Sequence, residues 1–165
     1  MIRLPTRLEK IHSTLESNDV REKSLDGALL VIRGALAWIF IYYGAGKLFG
    51  WFHGGGLHST AVFFATTAHL HPGLFFAVMS GVTEFFGGIA IGLGLFGRLV
   101  GVALFGDMVI AMITTTFQHG LIGNATGVGY GLNVAIAALA IAIVVLGSGR
   151  FSLDHKVRSL TRSRR

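Results

Sequence analysis

The chain has 165 residues, of which 13% are charged and 24 are glycine, with a formal net charge of +6 and no cysteine. A soluble domain carries about 25% charged residues and about half this share of glycine, so the composition points to one integral membrane domain. The missing thiol excludes disulfide relay, thiol catalysis, iron–sulfur ligation and thiolate zinc sites within this chain.

Residues 1–25 are polar and mixed in charge. Leu4, Leu8, Ile11 and Leu15 recur at helical spacing, and Thr6 with Glu9 fits a capping box behind Pro5. The pattern predicts a short amphipathic helix on the membrane surface or against a partner. No apolar h-region precedes it, so no cleavable signal peptide is expected. Span one follows from about Gly27 to Phe49 and contains Arg33 and Lys47. These two cations are about 21 Å apart along a helix axis and lie near the same face. Residues 50–72 form a loop without Lys or Arg, apolar enough at Ala61 to Ala68 for a short interfacial helix.

Span two runs from Gly73 to Leu95 and carries one acid, Glu84, near its centre. A carboxylate at that depth costs roughly 3 kcal/mol or more unless it faces protein or water. A tight turn at Gly97–Arg98 leads into span three, which reaches about Phe117 and contains Asp107. A second loop without Lys or Arg covers 118–127, and span four, about Val128 to Leu146, carries Asn133. The tail from residue 150 is basic. Gly88/Gly92, Gly97/Gly101 and Gly123/Gly127/Gly131 have the spacing that lets helix backbones approach closely.

Lys and Arg cluster in the N-terminal segment, at Arg98 and in the C-terminal tail. The positive-inside rule then puts both termini and the 2–3 turn in the cytoplasm. The basic excess reads as a topology signal and an attraction to anionic lipid, not as a nucleic-acid surface.

Arg33, Lys47, Glu84, Asp107 and Asn133 are the candidate site, either a structural ion network or a polar pocket for a small molecule or a proton path. Depth along the helices lets Arg33 reach both acids and places Lys47 level with Asn133, Thr114 to Thr116 and His119. No catalytic residue emerges. His53, His58, His69, His71 and His119 fall on the outer side without a carboxylate, so no metal site is expected. No histidine lies deep in two spans, which argues against an integral b-type haem.

Arg33, the Gly44-Ala45-Gly46-Lys47-Leu48 stretch, Thr83-Glu84 before Gly87-Gly88, the Gly94 to Arg98 turn and the closing Gly147 to Asp154 stretch together have a familiar pattern. Over about residues 26–155 the chain resembles the DoxX family of small bacterial membrane proteins. The resemblance implies a four-helix membrane bundle. It also implies a link to quinone-coupled sulfur metabolism or oxidative-stress defence, through relatives that are subunits of thiosulfate:quinone oxidoreductase. Mycobacterial members look like membrane anchors for a superoxide dismutase and a sulfurtransferase.

The expectation is an all-α polytopic membrane protein. It comprises an amphipathic cytoplasmic segment at 1–25, a four-transmembrane-helix bundle at 26–149 and a basic cytoplasmic tail at 150–165. The expected place is the bacterial inner membrane. The expected role is a redox-complex subunit, at most accessory to a quinone-linked oxidoreductase, with quinone as the cofactor and no intrinsic one. The alternatives are a non-catalytic anchor or assembly factor and a small transporter or lipid-binding protein. The expected partners are the lipid bilayer, a soluble or membrane protein on the cytoplasmic side, and further copies of the chain as a homo-oligomer.

Overall fold

A computed structural model describes residues 7–162, with side chains from residue 18 to 161 except at 158. Its elements are α1 (Arg7–Phe49), α2 (Gly56–Thr66), α3 (Gly73–Leu93), α4 (Gly97–Ala111), a hairpin of β1 (Gly123–Asn124) and β2 (Gly127–Val128), α5 (Gly131–Leu146) and α6 (Leu153–Arg162).

The N-terminal segment and span one are one helix of 43 residues, not two elements. Nothing between residues 18 and 27 breaks it. There is no proline, and Lys23 and Asp19 form an i,i+4 pair at 2.6 Å. Extending an existing helix avoids a second nucleation, so the polar segment propagates from the apolar one. The capping pair Thr6–Glu9 and the leucine stripe lie outside the described residues and side chains.

Three helical stretches are long and apolar enough to cross a bilayer: 18–49, 73–93 and 97–119. The third is α4 prolonged by a π-helical stretch, Met112–Thr116, and one 3₁₀ turn. The expected fourth span is shortened to the 16 residues of α5, because 123–128 form the hairpin. Gly123 and Gly127 therefore lie in a turn and not on a helix face. Sixteen residues rise about 24 Å, less than the hydrocarbon core of about 30 Å. The short interfacial helix expected near Ala61–Ala68 lies earlier, at Gly56–Thr66. It packs through Phe64 on Ala77 of α3.

Glycines set how closely the helices pack. A Cβ on Gly88 would lie 2.9 Å from the Ile41 backbone nitrogen, which seats α3 against α1. A Cβ on Gly101 would lie 2.8 Å from a Val144 methyl, which does the same for α4 and α5. The shared core is Leu29, Leu36, Phe40, Ile91, Leu104, Met108, Ile136 and Ile143. The outer surface is apolar as well. Val31, Trp38 and Leu99 are each more than 70% exposed. Lipid, not water, is the solvent that suits such a surface.

The bundle has two chemically different ends. The α3–α4 turn and α6 share a basic end with the first half of α1, while α2, the hairpin and the described histidines other than His155 gather at the opposite end.

Candidate functional site

The tertiary fold splits the five expected polar residues into separate groups. Lys47, Glu84 and Asp107 come together from α1, α3 and α4. Lys47 Nζ lies 2.9 Å from Glu84 Oε2 and donates to Ser80 Oγ at 2.8 Å. Asp107, from α4, is close enough to Glu84 for the two carboxyls to interact. The Glu84 side chain is 3% exposed, that of Lys47 27%. Lys47 and Glu84 thus form a buried ion pair, and beside it Asp107 Oδ2 is a buried acceptor to which no described donor points. Buried polar atoms are normally satisfied, so the unmatched Asp107 Oδ2 marks the side of the group that a ligand or water donor can reach.

Beside this triad is a cavity of about 450 Å³, bounded by α2, α3, α4 and the end of α1. Its walls are Phe63, Phe64, Phe75, Phe76, Met79 and Ile110, and its polar side holds Lys47, Ser80, Thr83, Asp107 and Thr115. The π-helical stretch begins where the wall turns polar. Thr114 and Thr115 donate their hydroxyls to the Ile110 and Ala111 carbonyls at 2.8 and 2.6 Å. Such widened turns are frequent at functional sites. The size and the mix of apolar walls with a few convergent polar groups are those of a small-molecule site.

Arg33 is not part of this group. The sequence expectation paired it with Glu84 or Asp107, and the structure corrects that. Arg33 is 2% exposed and gives all its described hydrogen bonds to backbone carbonyls. Nε donates to Ile91 O at 2.8 Å and Nη2 to Gly92 O at 2.6 Å. Nη1 donates to Ser148 O and Phe151 O, both at 2.8 Å. The reason is geometric. The last carbonyls of a helix have no partner within it and carry its negative dipole end. The planar five-donor guanidinium matches several such acceptors at once. Ile91 lies seven residues beyond Glu84, about 11 Å along α3, so one side chain serves one level or the other.

Asn133 is also apart from the triad. It accepts from Thr116 Oγ1 at 3.3 Å and touches Met108 Sδ at 3.8 Å, which ties α5 to the distorted end of α4.

Three polar residues lie outside the site expected from the sequence. Ser80 shares Lys47 with Glu84 and lies one turn before it, a spacing that could have revealed it. Asp154 accepts from Phe96 N at 3.0 Å and Gly97 N at 3.3 Å. It thereby caps α4 from α6, offsetting the left-handed Phe96 at φ 48°. Asp26 accepts from Arg150 N at 2.9 Å and binds the tail to α1. Only the fold reveals these last two, since their partners are remote in sequence.

The helices, their apolar surface and their buried charges define a multi-pass helical membrane protein in contact with the lipid bilayer. The family model described as DoxX matches residues 28–117, more than half of the chain, and the protein belongs to the DoxX family. The match contains Arg33, Lys47, Glu84 and Asp107 and ends before Asn133. No curated protein and no solved structure matches the chain.

Proposed function

We propose that this protein is a membrane subunit of a redox-linked complex that binds a quinone in the cavity between α2, α3 and α4. The observation that carries the reading is the pairing of an aromatic-walled cavity of about 450 Å³ with the donors Lys47 Nζ and Ser80 Oγ at its polar side. A quinone is a flat apolar ring with carbonyl oxygens that accept hydrogen bonds, and the lining fits both parts. When bound it would supply the redox chemistry, for which this chain offers no thiol. The chain's own residues orient the head group and hold charge beside it.

The Lys/Arg distribution supports an orientation with the basic end facing the cytoplasm, and the family resemblance supports a bacterial inner membrane. A soluble partner would then dock at that end, near α6. Quinone linkage to sulfur metabolism or stress defence rests on the family resemblance alone.

The test is retention of quinone by the full chain purified in mild detergent or lipid nanodiscs, read by chromatography of the extract. Gly106 lines the cavity, and a Cβ there meets nothing within 4 Å. Gly106→Leu should therefore fill the cavity without disturbing the backbone, and should abolish retention while leaving thermal stability unchanged. Quinone retained equally by the wild type and the filled variant would place it outside this cavity, and a wild type that retains none would end the reading.

A further inference from the structure

We infer that the cavity and its charged floor exchange water and protons with the histidine-bearing end of the bundle, past Lys47, and are sealed from the basic end. This deepens the quinone reading and rests on it for the identity of the ligand. Two features carry it.

The first is a pair of cavities. A second one, about 250 Å³, opens at the histidine-bearing end and is lined by Tyr42, Tyr43, Trp51 and His53. Lys47 and Thr60 line both cavities, so these two side chains are the partition between them. Lys47 is the more flexible of the two, with four rotatable carbons and a partly exposed stem. Past it lie the Glu84 carboxylate, paired with Lys47, and the unmatched acceptor Asp107 Oδ2.

The second is the seal. Between the triad and the Arg33 level, the bundle is filled by Leu36, Phe40, Ile91, Leu104 and Ile143. Each is at most 1% exposed, and none offers a polar atom to a water file. Below that layer Arg33 is held by four carbonyls. A proton bound or released by a ligand in the cavity would therefore be traded with the side that carries His53. The charged groups facing the triad are its own three members, with His53 beyond the partition.

The chain has no cysteine, so every introduced thiol is a single reporter. Ser80→Cys and Ala111→Cys sit on two walls of the cavity. His53→Cys reports the histidine-bearing side, Lys156→Cys the basic side, and Leu36→Cys the seal. Each full-length variant is treated with a small charged methanethiosulfonate in right-side-out and in inverted membrane vesicles. Both cavity reporters should be labelled in the vesicles that label His53→Cys and not in those that label Lys156→Cys. Leu36→Cys should stay unlabelled in both. Adding Thr60→Phe to Ser80→Cys should abolish its labelling. Labelling of the cavity reporters from the Lys156 side, or from neither side, overturns the inference. No quinone enters the measurement, so its outcome is separate from the fate of the quinone reading.

Discussion

Arg33 and Lys47 are cations of one helix, both inside the bundle, yet they are treated in opposite ways. Arg33 gives four of its five donors to carbonyls at the end of α3 and in the α5–α6 link, all at short distance. Lys47 faces two carboxyl groups, pairs with Glu84 and leaves Asp107 Oδ2 without a described donor. A saturated buried network rigidifies what it touches, whereas a partly satisfied one costs stability and is kept where something must bind or move. The difference separates a structural clamp from a candidate site inside one small bundle. It also explains why the clamp lies at the end where α3, the α5–α6 link and α6 converge.

The strongest way to break this comparison is to remove the clamp. Arg33→Met takes a donor from four carbonyls, of which Ile91 O keeps the Gly94 N–H at 3.1 Å, and each buried orphan among the other three costs about 1–3 kcal/mol before relaxation. The expected result is a variant that unfolds far below the wild type in detergent, with α6 exposed early to protease. Arg33→Lys keeps the charge without the planar fork and should recover only part of the loss. A wild-type melting profile for Arg33→Met would reduce the clamp to decoration.

The triad should behave differently. Lys47→Met alone strands two acids at bilayer depth, and breaking a buried pair by removing one partner costs about 3–5 kcal/mol. Part of this is relieved here, because the Lys47 side chain is already 27% exposed. Adding Glu84→Gln removes the uncompensated charge. The double variant should therefore regain stability relative to Lys47→Met, with a coupling of roughly 0.5–3 kcal/mol in a thermal or denaturant cycle. Quinone retention should not return with it. Recovery of both would leave the triad as structure only.

The smallest expected effect is the sharpest check on the separation itself. Arg33 and Glu84 share no partner and stand about 11 Å apart along α3. The losses from Arg33→Met and Glu84→Gln should add to within about 0.5 kcal/mol. A larger coupling would mean that the two levels communicate through the apolar layer of Leu36, Phe40 and Ile91.

Much of this was legible in the residues. Four apolar stretches, the charges inside them and the glycine spacing were enough for a helical membrane bundle, because a spanning backbone must satisfy itself locally and lipid selects apolar surface. Only three of the four form helices long enough to span. Lys47, Glu84 and Asp107 stood out because charge at that depth is costly, and that cost is visible in one dimension. What the sequence left open was which charge meets which. Depth alone allowed Arg33 to reach Glu84, but rotation about each helix axis and the competition of bare helix-end carbonyls decide the partner, and both depend on how α3 stops. Gly94, at φ 71° in the left-handed region, ends α3 and presents its last carbonyls to Arg33. The continuity of α1 through the polar segment, the shortening of α5 by the hairpin and the cavity itself are likewise properties of packed elements. No single stretch of sequence contains a space between two helices, so only the tertiary structure could show that Lys47 borders two of them.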